Sequence, residues 1–185
     1  AEPGIIFDGV ANAYACTTIG ADIVGETGLT ILWVYTQMPA GFGVLMEYGS
    51  SYSGGAGRFA LFRDSLGASS VSVYANGDVG ASEFNSDAGT VVAGAFPGII
   101  GANVDFTLAT NESSAKLDDV ALAGTYFANA NNAGTMANET LFVGGRNAAG
   151  LFADFTLGAI NVYQTLTAGE QTEEVAKLRA IYGTP

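Results

Sequence analysis

Residues 29–37 read LTILWVYTQ, the clearest strand pattern in the 185-residue chain. Val, Ile, Thr, Trp and Tyr are typical of β-strands. Side chains alternate along a strand, so one face would carry Leu29, Ile31, Trp33 and Tyr35, and the other Thr30, Leu32, Val34 and Thr36. Both faces are largely apolar, which predicts a central strand that is covered on both sides.

The rest of the chain repeats this signal in shorter segments. Stretches rich in Val, Ile, Phe, Tyr and Thr are separated by clusters of Gly, Asn, Asp and Ser, a pattern typical of antiparallel strands. We predict strands near 4–8, 13–19, 29–38, 43–49, 57–64, 69–75, 103–109, 114–118, 120–124, 140–144 and 153–163. The clean alternation of 103–108 should turn Val104, Phe106 and Leu108 inward. Most aromatic residues should fill the core, including Trp33, Phe59, Phe62, Phe106 and Phe155.

One helix is predicted, at the end of the chain. Thr167 and Glu170 have the spacing of a capping box. A narrow apolar stripe follows at helical spacing, made of Val175, Leu178 and Tyr182 with Ile181 beside them. We therefore expect a helix over about 167–182 that packs one face on the strands. Because no repeat or linker divides the chain, residues 1–185 should form a single all-β domain with this C-terminal helix.

The composition excludes several classes of function. The chain has 18 acidic and 6 basic residues, a net charge of −12, no histidine and one cysteine. Without histidine there is no Ser-His-Asp relay and no His-ligated zinc. Six cations cannot form the basic surface that binds phosphates, so we expect no nucleic-acid partner. The first residues lack a signal-peptide pattern and no apolar window approaches a membrane span, so we expect no membrane insertion.

Residues 91–101 read VVAGAFPGIIG, which is apolar but rich in Gly and Pro. Such a segment must be covered by something. Either it folds over its own core, or it meets a second copy of the chain. The second alternative would place Phe96, Pro97, Ile99 and Ile100 in a homo-oligomer contact.

Three groups of motifs resemble one family in the right order. IIFDGV at 5–10, YACT at 14–17 and GLTILWVY at 28–35 are similar to the start of laminin G-like, concanavalin A-like domains. LFVGGR at 141–146 and FTLGAINVY at 155–163 resemble a later pair of strands, and 166–183 resembles the closing helix. The family's Trp-His-Val-Ala strand and its hairpin glycine are missing from the middle. The resemblance implies a jelly-roll sandwich of two antiparallel sheets.

The resemblance also implies a function. The ending after a short helix is similar to versions of this domain in bacteriophage structural proteins and in bacterial surface proteins. We therefore expect a non-enzymatic virion protein, such as a capsid decoration, fibre or tail-associated domain, made in the host cytoplasm and bound to other virion proteins as a homo-oligomer. The alternative is a carbohydrate-binding module of a secreted or cell-surface protein. Glycosidases of this fold would need an E-x-D-x-x-E strand, for which Asp22 and Glu26 are a poor substitute, so we expect no catalysis.

A glycan site would combine an exposed aromatic ring with polar side chains. The candidates are Tyr52, Tyr126, Asn131, Asn132 and Arg146, with core packing or a structural ion pair as the alternative for each. Calcium, which needs convergent oxygen atoms, could use Asp118 with Asp119 or Asn76 with Asp78. The Asp-Asp pair fits a hairpin turn better. Lone Cys16 fits a small buried hydrophobe. We expect no metal and no other cofactor.

Overall fold

The computed structural model describes residues 4–11, 13–38, 41–51, 54–63, 69–91, 97–145 and 150–183. These residues form thirteen strands and two helices: β1 (Ile5–Asp8), β2 (Tyr14–Cys16), α1 (Ile19–Ile23), β3 (Gly28–Gln37), β4 (Gly43–Tyr48), β5 (Arg58–Arg63), β6 (Val71–Asn76), β7 (Ala81–Ser86), β8 (Gly98–Asp105), β9 (Ser113–Leu117), β10 (Val120–Ala121), β11 (Gly124–Asn129), β12 (Leu141–Val143), β13 (Asp154–Gln164) and α2 (Ala168–Tyr182).

The strands form two antiparallel sheets that pack face to face. Sheet A has six strands in the order β1-β13-β3-β8-β9-β10, and sheet B has seven in the order β11-β7-β6-β5-β4-β12-β2. One continuous core fills the space between the sheets. The predicted all-β class, with two antiparallel sheets and one long C-terminal helix, is confirmed.

Strand β3 is central, as its sequence predicts. It pairs with β13 on one side and with β8 on the other. Leu29, Ile31, Trp33 and Tyr35 lie in the core between the sheets. Leu32 and Val34 point the other way and pack with Val175 and Leu178 of α2. The strand is apolar on both faces because one face meets the opposite sheet and the other meets the helix.

Helix α2 begins and ends as the sequence predicts. The Thr167 hydroxyl accepts the amide of Glu170, and the Glu170 carboxylate accepts the amide of Thr167. Gly183 ends the helix in the left-handed conformation, with φ of 67°. The apolar stripe is narrower than predicted, because Ile181 is 55% exposed.

The predicted hairpin turn at Asp118 and Asp119 is confirmed. Both residues have positive φ, 49° and 66°, between paired Leu117 and Val120, which is the geometry of a type I′ turn. The turn also holds α2 in place. Thr172 donates its hydroxyl to Asp119 at 2.5 Å, and the Arg179 guanidinium donates to the Asp118 carbonyl at 2.6 Å.

Several local predictions are wrong. Strand β8 spans 98–105 rather than 103–109, and Leu108 lies beyond it with 44% of its surface exposed instead of facing inward. The polar strands β7 and β11 were not predicted, and the short helix α1 follows β2 where the strand was expected to continue. Phe62 faces away from the main core in a small separate cluster. No helix within the described ranges has the length and apolar character needed to cross a membrane.

Candidate functional site

The outward-facing side of sheet B brings aromatic and polar side chains together. Strand pairing aligns eight residues across β4 to β7 in two rows. The first row is Val44, Phe62, Ser72 and Asn85, and the second is Glu47, Ala60, Tyr74 and Glu83. We call these eight residues the outer face. These eight side chains face outward because side chains alternate along a strand and the residues between them, such as Leu61, Val73 and Phe84, point into the core.

The first part of the outer face is apolar. Val44, Ala60 and Phe62 form a buried cluster against which Tyr74 packs. Phe42, just before β4, stacks on Phe62 with ring centroids 6.2 Å apart and an angle of 16° between the rings. Phe42 is 47% exposed, so an aromatic ring stands at the border of this face. Exposed aromatic rings of this kind offer a flat apolar surface for stacking.

The second part of the outer face is a chain of hydrogen bonds. The Ser72 hydroxyl donates to Oδ1 of Asn85, and Nδ2 of Asn85 donates to Oε1 of Glu83 at 3.2 Å. Because Ser72 and Asn85 are buried, this chain fixes their polar groups in place. Glu83 is only half-buried and keeps its second oxygen, Oε2, outside this chain.

Tyr74 and Glu83 are directly paired neighbours on β6 and β7. Both are half-buried, so a phenol ring and a carboxylate reach the solvent side by side. An aromatic ring can cover the apolar face of a sugar, while a carboxylate accepts hydrogen bonds from its hydroxyl groups. A few fixed polar groups beside apolar surface are typical of small-molecule sites.

The two glutamates of the outer face are poorly spaced for glycoside hydrolysis. Glu47 and Glu83 share a row but lie on β4 and β7, three strand spacings apart. At about 4.8 Å per spacing, their backbone positions are roughly 14 Å apart. The two carboxyl groups of a glycosidase are about 5 to 9.5 Å apart. Glu47 is also fully buried, so this pair of carboxylates does not fit the two-carboxylate arrangement of a glycosidase.

Asn132, a predicted glycan residue, is a buried structural residue. It is 5% exposed, and its Oδ1 accepts the amides of Val79 and Gly80 at 2.9 and 3.0 Å. Its Nδ2 donates to Oε2 of Glu112 at 2.5 Å, and its backbone amide donates to Oε1 at 2.6 Å. Every polar group of the side chain is engaged within the chain, so the prediction for Asn132 is corrected.

Tyr126 is also corrected, because it faces the core. Its ring packs on Phe84 with centroids 5.4 Å apart, and its hydroxyl donates to the Ser113 carbonyl at 2.8 Å. Burial raises the pKa of the Tyr126 phenol. Asn131 is exposed in the segment that follows β11. Tyr52, Arg146 and Phe96 lie outside the described residues, and the roles predicted for them stay predictions.

The predicted oligomer contact is corrected for two of its members. Ile99 is buried beneath α2 and Ile100 is buried in the core between the sheets. For these two residues the first alternative holds, in which the segment covers its own core. Pro97 is half-buried and lines a shallow cleft of about 410 Å³ beside Ile181 and Tyr182.

A larger cleft of about 540 Å³ opens between the sheet edges formed by β1 with β13 and by β2 with β12. Ile5 and Tyr14 stand at it with 61% and 63% of their surfaces exposed, and most of the other lining residues are apolar. Cys16 lies here half-buried rather than fully buried, and a hydrogen bond with the Thr18 hydroxyl lowers the pKa of its thiol. Asp22 is the one charged side chain among the described residues that line this cleft, and the chain of polar groups seen on the outer face has no counterpart among them.

The two calcium candidates are engaged in other contacts. Asp118 accepts the amide of Ile99 at 3.0 Å, and Asp119 accepts Nζ of Lys116 at 3.0 Å. The Asn76 side chain donates to the Gly55 carbonyl, while Asp78 accepts the amide of Ala133. Among the side chains that the structure describes, no group of three or more Asp, Glu or Cys is placed to hold a metal ion.

Comparison by sequence identifies no relative, since no protein-family model and no curated protein matches the chain. Comparison of structures finds proteins with a similar fold. The CBM40 carbohydrate-binding module of Ruminococcus gnavus IT-sialidase, solved with α2,3-sialyllactose, is similar with a TM-score of 0.65 and 14% identity, over 94% of this chain and 97% of the module.

Two other similar structures come from different settings. Tailspike protein 2 of Escherichia coli O157:H7 bacteriophage CAB120 has a TM-score of 0.65 and 15% identity, over 98% of this chain but only 25% of the tailspike. The heptameric SAP-like pentraxin of Limulus polyphemus has a TM-score of 0.61 and 11% identity, over 90% of this chain and 78% of the pentraxin. These likenesses establish the fold as the jelly-roll sandwich that the sequence motifs predicted.

Proposed function

We propose that this chain is a non-catalytic carbohydrate-binding module that binds a glycan on the outer face of sheet B. The observation that carries the proposal is the neighbouring pair of Tyr74 and Glu83, which presents an aromatic ring and a carboxylate on adjacent strands. The likeness to a CBM40 module that binds sialyllactose supports it.

The geometry of the outer face gives the binding mode. A sugar ring would lie against the Tyr74 phenol, and its hydroxyl groups would donate to the Glu83 carboxylate. Asn85 holds one carboxylate oxygen at 3.2 Å, which orients the group before the ligand arrives. A polar group that is already ordered loses less entropy on binding, so the Ser72–Asn85–Glu83 chain contributes to affinity although two of its members are buried.

A glycan array followed by calorimetry on the best ligand tests the proposal. Glu83→Gln removes the charge but keeps the shape, and we expect affinity to fall by about tenfold to 150-fold, the range for a hydrogen bond to a charged group. Tyr74→Ala should abolish detectable binding. Glu173→Gln, on exposed helix surface, and Tyr14→Ala, at the apolar cleft, are matched controls that should bind as the parent does.

Two results would overturn the proposal. One is an array on which the folded protein binds no glycan. The other is a bound glycan whose affinity is unchanged in both site variants. The sequence-based candidate Tyr52 is tested in parallel, because a loss of binding confined to Tyr52→Ala would move the site away from the outer face.

We also propose that the chain belongs to a virion, as a homo-oligomeric decoration, fibre or tail-associated domain. The likeness to a phage tailspike over 98% of this chain supports this second candidate. Mass spectrometry of purified particles from the source should detect the chain, and light scattering at high concentration should show an oligomer. A strictly monomeric chain that is absent from particles but present in secreted or cell-surface fractions would favour the alternative, a secreted module.

A further inference from the structure

We infer that the outer face is selective for uncharged glycans and discriminates against sialylated and other anionic ones. The inference rests on the proposed glycan-binding function and names its substrate class. Arg and Lys form the strongest hydrogen bonds to a carboxylate, so a site that prefers anionic sugars is expected to present at least one basic side chain that can reach the ligand.

The described basic side chains are engaged elsewhere. Five of the six Lys and Arg residues lie in the described ranges. Lys116 pairs with Asp119 at 3.0 Å, and Lys177 pairs with Glu174 at 2.5 Å. Arg179 donates to the Asp118 carbonyl. Lys177 and Arg179 lie on α2 and Lys116 on β9, so all three belong to the opposite side of the sandwich.

The two arginines of sheet B are also committed. Arg63 is fully buried and donates to the Ser70 carbonyl at 2.9 Å. Arg58, at one end of β5, donates Nε to the Glu139 carboxylate at 2.8 Å and Nη1 to the Ser51 carbonyl at 3.0 Å. Arg63 lies on the core side of β5. Arg58, although on the same side of sheet B as Ala60 and Tyr74, has Nε, Nη1 and Nη2 engaged with Glu139 and Ser51.

The groups that do reach solvent on the outer face point to a neutral ligand. Among the eight outer-face residues, the half-buried charged group is the Glu83 carboxylate, and the whole chain carries a net charge of −12. A sialic acid carboxylate brought next to Glu83 would be a like-charge contact, which is strongly unfavourable in an interface. Neutral sugar hydroxyls instead donate to Glu83 and stack on aromatic surface without any cation.

Matched pairs of glycans measure this selectivity directly. Each pair shares one neutral core and differs only by a terminal sialic acid, as lactose and α2,3-sialyllactose do. We expect every bound pair to show at least about tenfold weaker binding of the sialylated member. Affinity for the neutral member should stay the same between 50 mM and 500 mM NaCl, conditions that span strong and weak screening.

The outcomes separate the inference from the proposed function. Equal or tighter binding of sialylated members overturns the inference and leaves the glycan-binding proposal intact. Binding of neither member of any pair overturns the proposed function itself. Arg146→Ala, made alongside, identifies the source of any preference for sialylated glycans, because loss of that preference in the variant would show that Arg146 is the cation and would refute the inference. If repulsion by Glu83 weakens binding of the sialylated glycan, Glu83→Gln should reduce the difference in affinity between the two glycans of a pair.

Discussion

Replacing Asn132 by alanine separates a structural role for this residue from the sugar-binding role that its sequence suggests. The change removes three hydrogen bonds, two from backbone amides to Oδ1 and one from Nδ2 to the Glu112 carboxylate. Buried Glu112, which is 1% exposed, would lose the side-chain donor of residue 132 and keep its backbone amide as a donor. Val79 is 72% exposed, so its amide can bond to water instead.

The expected loss follows from these contacts. A hydrogen bond to a buried charged group contributes about 1.5 to 3 kcal/mol, and each neutral one about 1 kcal/mol, of which water recovers part. We therefore expect Asn132→Ala to lower the free energy of unfolding by roughly 3 kcal/mol, equivalent to a melting temperature about 6 to 12 °C lower for a chain of this size. Urea denaturation at pH 7 measures it.

Two controls make the result decisive. Asn131→Ala, next to it and exposed, should change the free energy of unfolding by less than about 0.5 kcal/mol. Glycan affinity of the folded Asn132→Ala protein should equal that of the parent. A stability loss below about 1 kcal/mol, or a folded variant that no longer binds its glycan, would refute the structural assignment.

The other predictions concern helix α2 and the turn beneath it. Leu178→Ala should lower the free energy of unfolding by about 2 to 5 kcal/mol, because Leu178 is only 5% exposed. Ile181→Ala should lower it by less than about 1 kcal/mol, because Ile181 is 55% exposed. Equal losses of stability in thermal denaturation would contradict the packing of α2. Burial raises the pKa of Asp118, so its ionisation opposes folding, and its contribution to stability is lost as pH rises above 3.8; the stability of Asp118→Asn relative to the parent should therefore increase with pH. Hydrogen bonds from the Thr172 hydroxyl and from Lys116 lower the pKa of Asp119, so the contribution of this carboxylate to stability is present above pH 3.8 and is lost in acid. The stability of Asp119→Asn relative to the parent should therefore decrease as pH rises. Parallel pH profiles for the Asp118 and Asp119 variants would contradict these opposite pKa shifts. Gly77→Ala should destabilise the 77–80 turn by about 1 to 3 kcal/mol, because its Cβ would come within 2.2 Å of Cγ of Asn132; a denaturation midpoint equal to that of the parent would contradict this contact.

The parts of the fold that were predictable are those with a strong local signal. Strand β3 and helix α2 each bury an apolar pattern whose period is visible within ten to fifteen residues. The segment at 98–101 obeys the same logic as β3, because it too is covered on both faces. Because Gly98 and Gly101 flank the two isoleucines, the sequence of this segment resembles a loop. A Cβ on Gly98 would come within 2.4 Å of the Tyr35 hydroxyl, and one on Gly101 within 2.4 Å of Nε2 of Gln171, so a side chain at either position would displace its neighbour.

The candidate site was not predictable in the same way. Its eight residues come from four strands and meet only through pairing between strands. Strand β7 reads ASEFNS, in which small polar Ser82 and Ser86 face inward beside Phe84, so the usual alternation of apolar and polar residues is absent. The one local indication of the site was Tyr74, an aromatic residue at an outward position of the β6 sequence VSVYAN. Conversely, Asn132 looked like a loop amide because its partner Glu112 is 20 residues away.

The two sheets leave different surfaces open to a partner. On sheet A, α2 covers the outward side of β3 and β8, where Leu32, Val34 and Ile99 pack beneath Val175 and Leu178. Tyr163 of β13 extends this contact by donating its hydroxyl to Glu174 at 3.0 Å. Neither of the two helices in the described ranges packs on the outer face of sheet B, where the polar chain that ends at Glu83 reaches solvent. Six of the eight outer-face residues are only 0 to 5% exposed, so a ligand on this side of the sandwich would reach this face at the half-buried pair Tyr74 and Glu83.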